Sequence, residues 1–283
     1  MTLPIVEDAY GDPRNAVAMS LASDLAYLPE AQGAEGFRNE LGLEAKLFSV
    51  GNTQAYVATN DDHIVVAFRG TEAPTSIEGL KDWLLTDAVN LLMVPEGRLG
   101  TDLAAAGVGA RFHQGFVNAI ADIWEPVYGA VDAEMKKAER PLWVTGHSLG
   151  GALALFAAWL FVRKMINVHQ VYTFGAPMIG NLKAIEAFDR EFPNKIFRYV
   201  NSPDPVPQLP LMSLLSNEYG HCQKEIGVGE TVAATAFFGD LAGKAVDGLL
   251  NATLIDEIWA SLQGRISAHG MDNYRQLVAK LFK

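Results

Sequence analysis

The chain has 283 residues, of which 49% are hydrophobic and 19% are charged, and its formal net charge is −11. This length and composition suit one large α/β domain with a substantial core, and we predict residues 1–283 as a single domain. A negative surface repels a phosphate backbone, which argues against nucleic acid as a partner. The single cysteine, Cys222, excludes an intrachain disulfide, so packing must stabilise the chain.

No basic segment followed by an apolar stretch opens the chain, so no signal peptide is recognised. Two localisations stay open: a cytoplasmic protein, or a secreted protein whose signal has been removed. The longest apolar run, Ala152 to Val162, is too short to cross a bilayer. We therefore expect no stable membrane insertion, and the sequence predicts no oligomeric state.

In chain order, the first predicted elements are a helix over Arg14–Leu28 and three short strands separated by Gly, Asn and Asp. After residue 110, predicted helices and strands alternate, which is typical of βαβ units. We predict an α/β fold with a mainly parallel central sheet flanked by helices, and with the early strands as an antiparallel flank. The predicted strands are 46–50, 54–59, 64–68, 142–145, 171–174 and 195–200, and the later helices are 116–137, 149–164 and 182–190.

Residues 143–154, WVTGHSLGGALA, contain the pattern G-x-S-x-G between a predicted strand and a predicted helix. In this pattern the serine takes a strained backbone conformation, and side chains at the flanking positions would clash with the strand and helix. The helix N-terminus adds free N–H groups beside Ser148. The alternative is a structural glycine turn or a phosphate-binding loop, but neither a Walker A lysine nor G-x-G-x-x-G accompanies it. We predict Ser148 as a nucleophile.

A serine nucleophile needs a base and an orienting acid, which follow it in the order acid, then histidine, in α/β-hydrolases. Asp204 follows the strand that ends at Val200, and catalytic groups gather at the carboxyl ends of such strands. Asp189 lies within a predicted helix and is expected to face solvent. For the base, order and position favour His269 over His221 without excluding His221.

The sequence resembles the class 3 lipases, the fungal-type triacylglycerol lipase family, whose fold is the α/β-hydrolase fold. Seven motifs carry the resemblance in family order between about residues 45 and 275: VVAFRGTE, KDWLLTD, FHQGF, VTGHSLGGALA, YTFGAPMIGN, VNSPDPVPQLP and a terminal His before Asn-Tyr. The resemblance implies Ser148 as nucleophile, Asp204 as acid and His269 as base. It also assigns Thr71 and Leu149 to the oxyanion hole.

The family resemblance implies a serine carboxylic-ester hydrolase that cleaves acyl esters of lipids, such as triacylglycerols, with an oil–water interface as one place to meet its substrate. Feruloyl esterase and phospholipase A1 activities are alternatives within the family. A lipase-like binding module without catalysis is the alternative from another class. No cofactor or metal is implied, because the chain contains neither an EF-hand loop nor H-E-x-x-H.

The family commonly covers its site with an amphipathic lid, and apolar residues recur at helical spacing from Ile77 to Leu92. We predict a lid region over 72–111, with a packed amphipathic helix as the alternative. Residues 230–262 are a departure from compact fungal members, and we predict that they form a helical cap, with a helix buried in the core or in a dimer contact as the alternative. The candidate substrate-binding residues are Trp83, Leu84, Val206, Leu209 and Leu211.

Overall fold

The computed structural model describes residues 2–71, 92–209, 219–229 and 265–281. At its centre is a seven-stranded sheet in the order β1-β2-β3-β6-β7-β9-β11. A second sheet of four short strands has the order β10-β8-β5-β4. The strands are β1 (Glu44–Val50), β2 (Thr53–Thr59), β3 (Ile64–Phe68), β4 (Leu92–Met93), β5 (Phe112–His113), β6 (Leu142–His147), β7 (Val168–Phe174), β8 (Gly180–Asn181), β9 (Ile196–Asn201), β10 (Tyr219–Gly220) and β11 (Glu225–Val228).

Both pairing modes of the central sheet agree with the prediction. β1, β2 and β3 pair antiparallel, since tight turns join them. β3, β6, β7, β9 and β11 pair parallel in that order. A parallel neighbour requires a crossover connection. The helix Gln114–Lys137 lies in the connection from β3 to β6, and the helix Leu149–Arg163 connects β6 to β7. The mainly parallel sheet with an antiparallel flank is thus confirmed.

Helices cover both faces of the central sheet. Along β3, the side chains of Ile64, Val66 and Phe68 belong to one core cluster, and those of Val65 and Ala67 to the other. This alternation follows from the two-residue period of a strand. The helices are α1 (Pro13–Leu25), α2 (Glu30–Gly36), α3 (Gly100–Ala104), α4 (Gln114–Lys137), α5 (Leu149–Arg163), α6 (Leu182–Glu191) and α7 (Met271–Lys280). The first core also contains residues of α4, α5 and α6, and the second core contains residues of α1 and α7.

The predicted lid region, 72–111, is described only from residue 92 onward. In that part, Leu99 and Leu103 are buried in the first core, and the Trp159 Nε1–H donates to the Asp102 carbonyl at 2.8 Å. This end of the region therefore packs on the body of the protein. Residues 72–91 and the predicted cap, 230–262, lie outside the described residues.

None of the helices in the described ranges has both the length and the hydropathy needed to cross a bilayer. The most apolar of them, α5, is buried from Gly150 to Phe161 and forms the centre of the first core. Its apolar composition is therefore explained by packing against the sheet.

Candidate active site

Four loops leave the central sheet at the same edge. In the sheet register, Phe68 of β3 lies opposite Gly146 of β6, and His147 lies opposite Phe174 of β7. Phe174 in turn lies opposite Tyr199 of β9. Because these strands are parallel, their carboxyl ends and the loops that follow them meet at one edge.

Ser148 occupies the single residue between β6 and α5, with φ 57° and ψ −130°. This positive φ is strained for a serine, and the surrounding packing must maintain it. A Cβ at position 146 would collide with the Gly150 carbonyl oxygen, and a Cβ at position 150 with the Phe68 carbonyl oxygen. The Ser148 N–H donates to the Phe174 carbonyl at 2.9 Å. The glycines therefore allow three backbone segments to touch, and that contact defines the turn.

The loop after β3 lies directly against this turn. A Cβ at Gly70 would lie 3.1 Å from the Ser148 Cβ and 2.7 Å from the His147 carbonyl oxygen. Thr71 comes next in the chain, and its buried Oγ1 has no partner among the described residues. Leu149 is the first residue of α5, where N–H groups have no acceptor in a preceding turn. The N-terminus of α5 and the segment that leads to Thr71 thus both adjoin Ser148.

Asp204 and His269 are buried and hydrogen-bonded to each other, although 65 residues separate them. The distance from His269 Nδ1 to Asp204 Oδ2 is 2.8 Å. Asp204 follows β9, and His269 ends a 3₁₀ helix, Ile266–His269, that precedes α7. Since the carboxylate accepts, Nδ1 carries the proton and Nε2 is left as an acceptor. Nε2 is itself buried without a partner among the described residues.

Two further donors fix the Asp204 carboxylate. The Tyr274 hydroxyl donates to Oδ2 at 2.6 Å, and the Val206 N–H donates to Oδ1 at 2.9 Å. Burial, followed by the charge of Asp204, raises the pKa of Tyr274 well above its ordinary value, so this hydroxyl stays a donor. With His269, the carboxylate accepts three hydrogen bonds that hold it in one orientation.

His147 brings the acid–histidine pair next to Ser148. Its Nε2–H donates to the His269 carbonyl at 2.7 Å, and the two imidazole rings are 4.5 Å apart between centroids. Within the described residues, no hydrogen bond joins Ser148 Oγ to His269 Nε2. Ser148, Asp204 and His269 therefore lie in adjoining segments at one edge of the sheet.

The structure separates the alternative acid and base from this cluster. His221 Nε2–H donates to the Pro207 carbonyl at 2.6 Å, and burial above all lowers the pKa of this imidazole to about 3. His221 thus supports the loop that carries Asp204. Asp189 is not simply solvated, because its Oδ1 accepts from the Gln223 N–H at 2.7 Å.

Of the candidate substrate-binding residues, Val206 and Leu209 are described, and both are buried in the segment that follows Asp204. The Leu209 carbonyl also accepts from the Met178 N–H at 3.0 Å. Trp83, Leu84 and Leu211 lie outside the described residues.

Sequence reasoning missed the roles of Tyr274 and Tyr27, whose hydroxyls bond Asp204 and His147 respectively. Tyr274 was visible only as part of the Asn-Tyr pair after His269, and Tyr27 only as the end of a helical pattern. Across the described ranges, no three His, Cys, Asp or Glu side chains cluster in a way that could hold a metal ion.

A parallel sheet between helical layers, with a serine at the strand–helix turn and a buried Asp–His pair beside it, defines the α/β-hydrolase class. The class 3 lipase family, "Lipase (class 3)", matches residues 65–214, which is more than half of the chain. The chain belongs to this family.

Relatives of known name agree with this membership. The chain is 28% identical over 186 residues to the secreted mono- and diacylglycerol lipase MDL3 of Malassezia globosa, covering 63% of this chain and 59% of that protein. It is 34% identical over 161 residues to secreted mono- and diacylglycerol lipase 1 of Fusarium solani, covering 55% and 42%. It is 29% identical over 208 residues to phospholipase A1-Igamma2 of Arabidopsis thaliana, covering 63% of this chain and 38% of that protein. The chain thus spans less than two thirds of each of these relatives.

Solved structures of fungal lipases share the fold. The triacylglyceride lipase of Rhizomucor miehei superimposes with a TM-score of 0.58 at 24% identity, over 78% of this chain and 82% of that one. The lipase of Rhizopus microsporus var. chinensis gives a TM-score of 0.58 at 21% identity, over 82% and 80%. At these identities the likeness supports the α/β-hydrolase architecture.

Proposed function

We propose that this protein is a serine carboxylic-ester hydrolase that cleaves acyl esters of lipids. His269 Nε2 removes the proton from Ser148 Oγ, and Ser148 attacks the ester carbonyl. The N–H groups of Thr71 and Leu149, with the Thr71 hydroxyl, stabilise the oxyanion. The alcohol then leaves with a proton from His269, and water cleaves the acyl-enzyme by the same steps.

One observation carries this proposal: the 2.8 Å hydrogen bond between His269 Nδ1 and Asp204 Oδ2, buried next to a serine at positive φ. The bond fixes the tautomer that leaves Nε2 as a base, and the carboxylate stabilises the imidazolium that forms during attack. A purely structural His–Asp pair would not require a strained serine with free helix N–H groups beside it.

The names of the relatives support a lipid ester as substrate. Mono- and diacylglycerol lipases and phospholipases A1 stand among them. The phospholipases A1 are the reason to retain phospholipid as a second candidate substrate. We propose that the substrate is a glycerolipid, with triacylglycerol, partial acylglycerol and phospholipid as the alternatives that a substrate panel distinguishes.

The test is hydrolysis of p-nitrophenyl esters from C2 to C16, beside emulsified triacylglycerol, diacylglycerol, phosphatidylcholine and methyl ferulate. We expect release of p-nitrophenol and of fatty acid from at least one glycerolipid, and none from Ser148→Ala. Turnover of methyl ferulate alone would contradict a lipid substrate. If no ester is cleaved while a lipid still binds, the chain is a lipase-like binding module and the proposed activity is wrong.

A lid within residues 72–111 and a cap over 230–262 remain predictions from the sequence. A lid that opens at a lipid surface predicts a rate that rises when the substrate passes its solubility limit. A cap that forms the acyl pocket predicts that deletion of residues 232–260 abolishes turnover of short-chain esters. A rate that is flat across the solubility limit argues against the lid, and intact turnover argues against the pocket.

Several relatives are named as secreted, which favours the secreted one of the two localisations that the sequence leaves open. We propose that the protein acts outside the cell. Immunoblots of culture medium and cell lysate test this, and protein confined to the lysate would contradict it.

A further inference from the structure

Three segments of the site are joined by one buried chain of hydrogen bonds that the proposed reaction does not use. Its centre is the His147 imidazole, which is 4% exposed. His147 Nδ1 lies 2.8 Å from the Tyr27 hydroxyl, and Nε2 lies 2.7 Å from the His269 carbonyl oxygen. The Tyr27 hydroxyl also packs against Gly70, where an added Cβ would collide with its oxygen.

The chemistry of the end groups fixes the direction of each bond. A carbonyl oxygen only accepts, so His147 Nε2 carries a proton and donates to His269. Burial first, and then the nearby His269, lowers the pKa of His147 well below its ordinary value, so the ring is neutral and Nδ1 is an acceptor. Tyr27 must therefore donate to Nδ1. Burial likewise raises the pKa of Tyr27, so its proton is retained.

Three residues along this chain lie next to groups of the proposed mechanism. Gly70 precedes Thr71, whose N–H and hydroxyl are the proposed oxyanion donors. His147 precedes Ser148, the proposed nucleophile. His269 accepts from His147 through its backbone carbonyl, and its side chain is the proposed base. We propose that Tyr27 and His147 are positioning residues that hold the oxyanion loop, the nucleophile and the base in one fixed geometry.

The neutral state of His147 suits this role, because its ring lies 4.5 Å from that of His269. During attack His269 becomes an imidazolium, and a second positive ring at this distance would oppose that charge. A neutral ring that is held at both nitrogens fixes the backbone of His269 without repelling the charge that forms on its side chain.

This inference rests on the proposed function, and its test compares two tyrosine hydroxyls. Tyr27→Phe removes the donor to His147 and leaves the ring in place. Tyr56→Phe makes the same change at a buried tyrosine whose hydroxyl donates to the Leu28 carbonyl at 2.9 Å, in the turn that contains Tyr27, instead of to His147. Rates on a soluble p-nitrophenyl ester are divided by the concentration of active sites, which is titrated with a serine-reactive phosphonate. A variant that is only partly folded then loses active sites without a change in kcat per site.

We expect Tyr27→Phe to lower kcat about tenfold with KM unchanged, because a positioning bond acts on groups used in the transition state. Tyr56→Phe should leave both constants within about twofold of wild type. His147→Leu should lower kcat at least as much as Tyr27→Phe does. His147→Gln keeps an amide N–H for the His269 carbonyl and should recover part of this loss.

The double variant distinguishes a linked chain from two separate effects. Since Tyr27 acts through His147, adding Tyr27→Phe to His147→Leu should cost less than about twofold more. The inference is overturned if Tyr27→Phe behaves like Tyr56→Phe in an active enzyme, or if it costs its full tenfold in the His147→Leu background. A wild-type chain that cleaves no ester and takes up no phosphonate would instead overturn the proposed function, and this inference with it.

Discussion

Two regions build the candidate site, and different forces hold them. The elbow, residues 146–151, is held by backbone packed against backbone where no side chain fits. The acid–histidine region, residues 201–209 and 265–274, is held by side-chain hydrogen bonds between positions 65 to 70 apart in the chain. The elbow is thus a local requirement of the backbone, whereas the acid–histidine region depends on the assembled fold.

The same difference predicts how each region responds to substitution. In the elbow, one added methyl group should damage the fold itself. In the acid–histidine region, an isosteric change should leave the fold intact and remove the chemistry.

Asp204→Asn should lower kcat/KM by about 10⁴-fold, while the loss of an accepted hydrogen bond lowers the free energy of unfolding by about 1–3 kcal/mol and leaves the chain folded. The side chain keeps its size, but it loses the charge that stabilises the imidazolium and that fixes the His269 tautomer. Steady-state kinetics and urea denaturation measure the two effects. Asp189→Asn is the matched control, since its Oδ1 still accepts from the Gln223 N–H, and it should stay within about twofold of wild type. If both variants kept wild-type activity, the Asp204 side chain would have no part in the reaction.

Gly146→Ala should destabilise the protein by about 2–3 kcal/mol, because the new Cβ meets the Gly150 carbonyl in a packed turn. Urea denaturation gives the free energy of unfolding. The control is Gly227→Ala in β11, where an added Cβ meets no atom within 4 Å. That change should alter the free energy by less than about 1 kcal/mol. Equal values for the two variants would contradict backbone packing as the force that holds the elbow.

His221→Gln should weaken the pH dependence of stability. Burial lowers the folded-state pKa of His221 to about 3, from an ordinary value of 6.5. Below pH 6.5 the unfolded chain therefore binds a proton that the folded chain does not, and stability falls as the pH falls towards 3. The expected slope for this group is about 1.4 kcal/mol per pH unit.

The glutamine variant, whose amide can still donate to Pro207, should lose that part of the slope. Between pH 7 and pH 5, the free energy of unfolding of the wild-type protein should fall by about 2 kcal/mol more than that of the variant. Urea denaturation at both pH values measures it. Identical slopes would show that His221 is protonated in the folded protein or is not buried there.

Gly129→Ala should stabilise the protein by about 0.5–1 kcal/mol, since this glycine lies on the exposed side of α4 with no atom within 4 Å of an added Cβ. The same substitution thus has opposite signs at Gly129 and at Gly146. Denaturation under the same conditions checks the sign, and a loss of stability at Gly129 would contradict the absence of a packing requirement there.

The elbow was predictable from the sequence because the backbone there demands glycine at fixed spacing from Ser148. The long strands and helices were predictable for a similar reason, since their apolar periodicities are local, and β3 was matched at both ends. The second sheet was not predicted, because its strands are two residues long and carry no period.

The acid–histidine region was only partly predictable. Chain order pointed to Asp204 but left His221 as an alternative to His269, and family resemblance favoured His269. The bonds from Tyr274 to Asp204 and from Tyr27 to His147 span 70 and 120 residues. No local pattern encodes such contacts, so only the folded chain shows which tyrosine reaches which partner.

The central claim is that Ser148 is a nucleophile activated by His269 and Asp204, and mass spectrometry of the chain after incubation with an alkyl phosphonate tests it most directly. We predict one adduct on Ser148 in the wild-type protein, none in Ser148→Ala, and labelling slower by orders of magnitude in Asp204→Asn and His269→Ala. An unlabelled wild-type chain, or equal labelling of Ser148 with and without Asp204 and His269, would contradict the account.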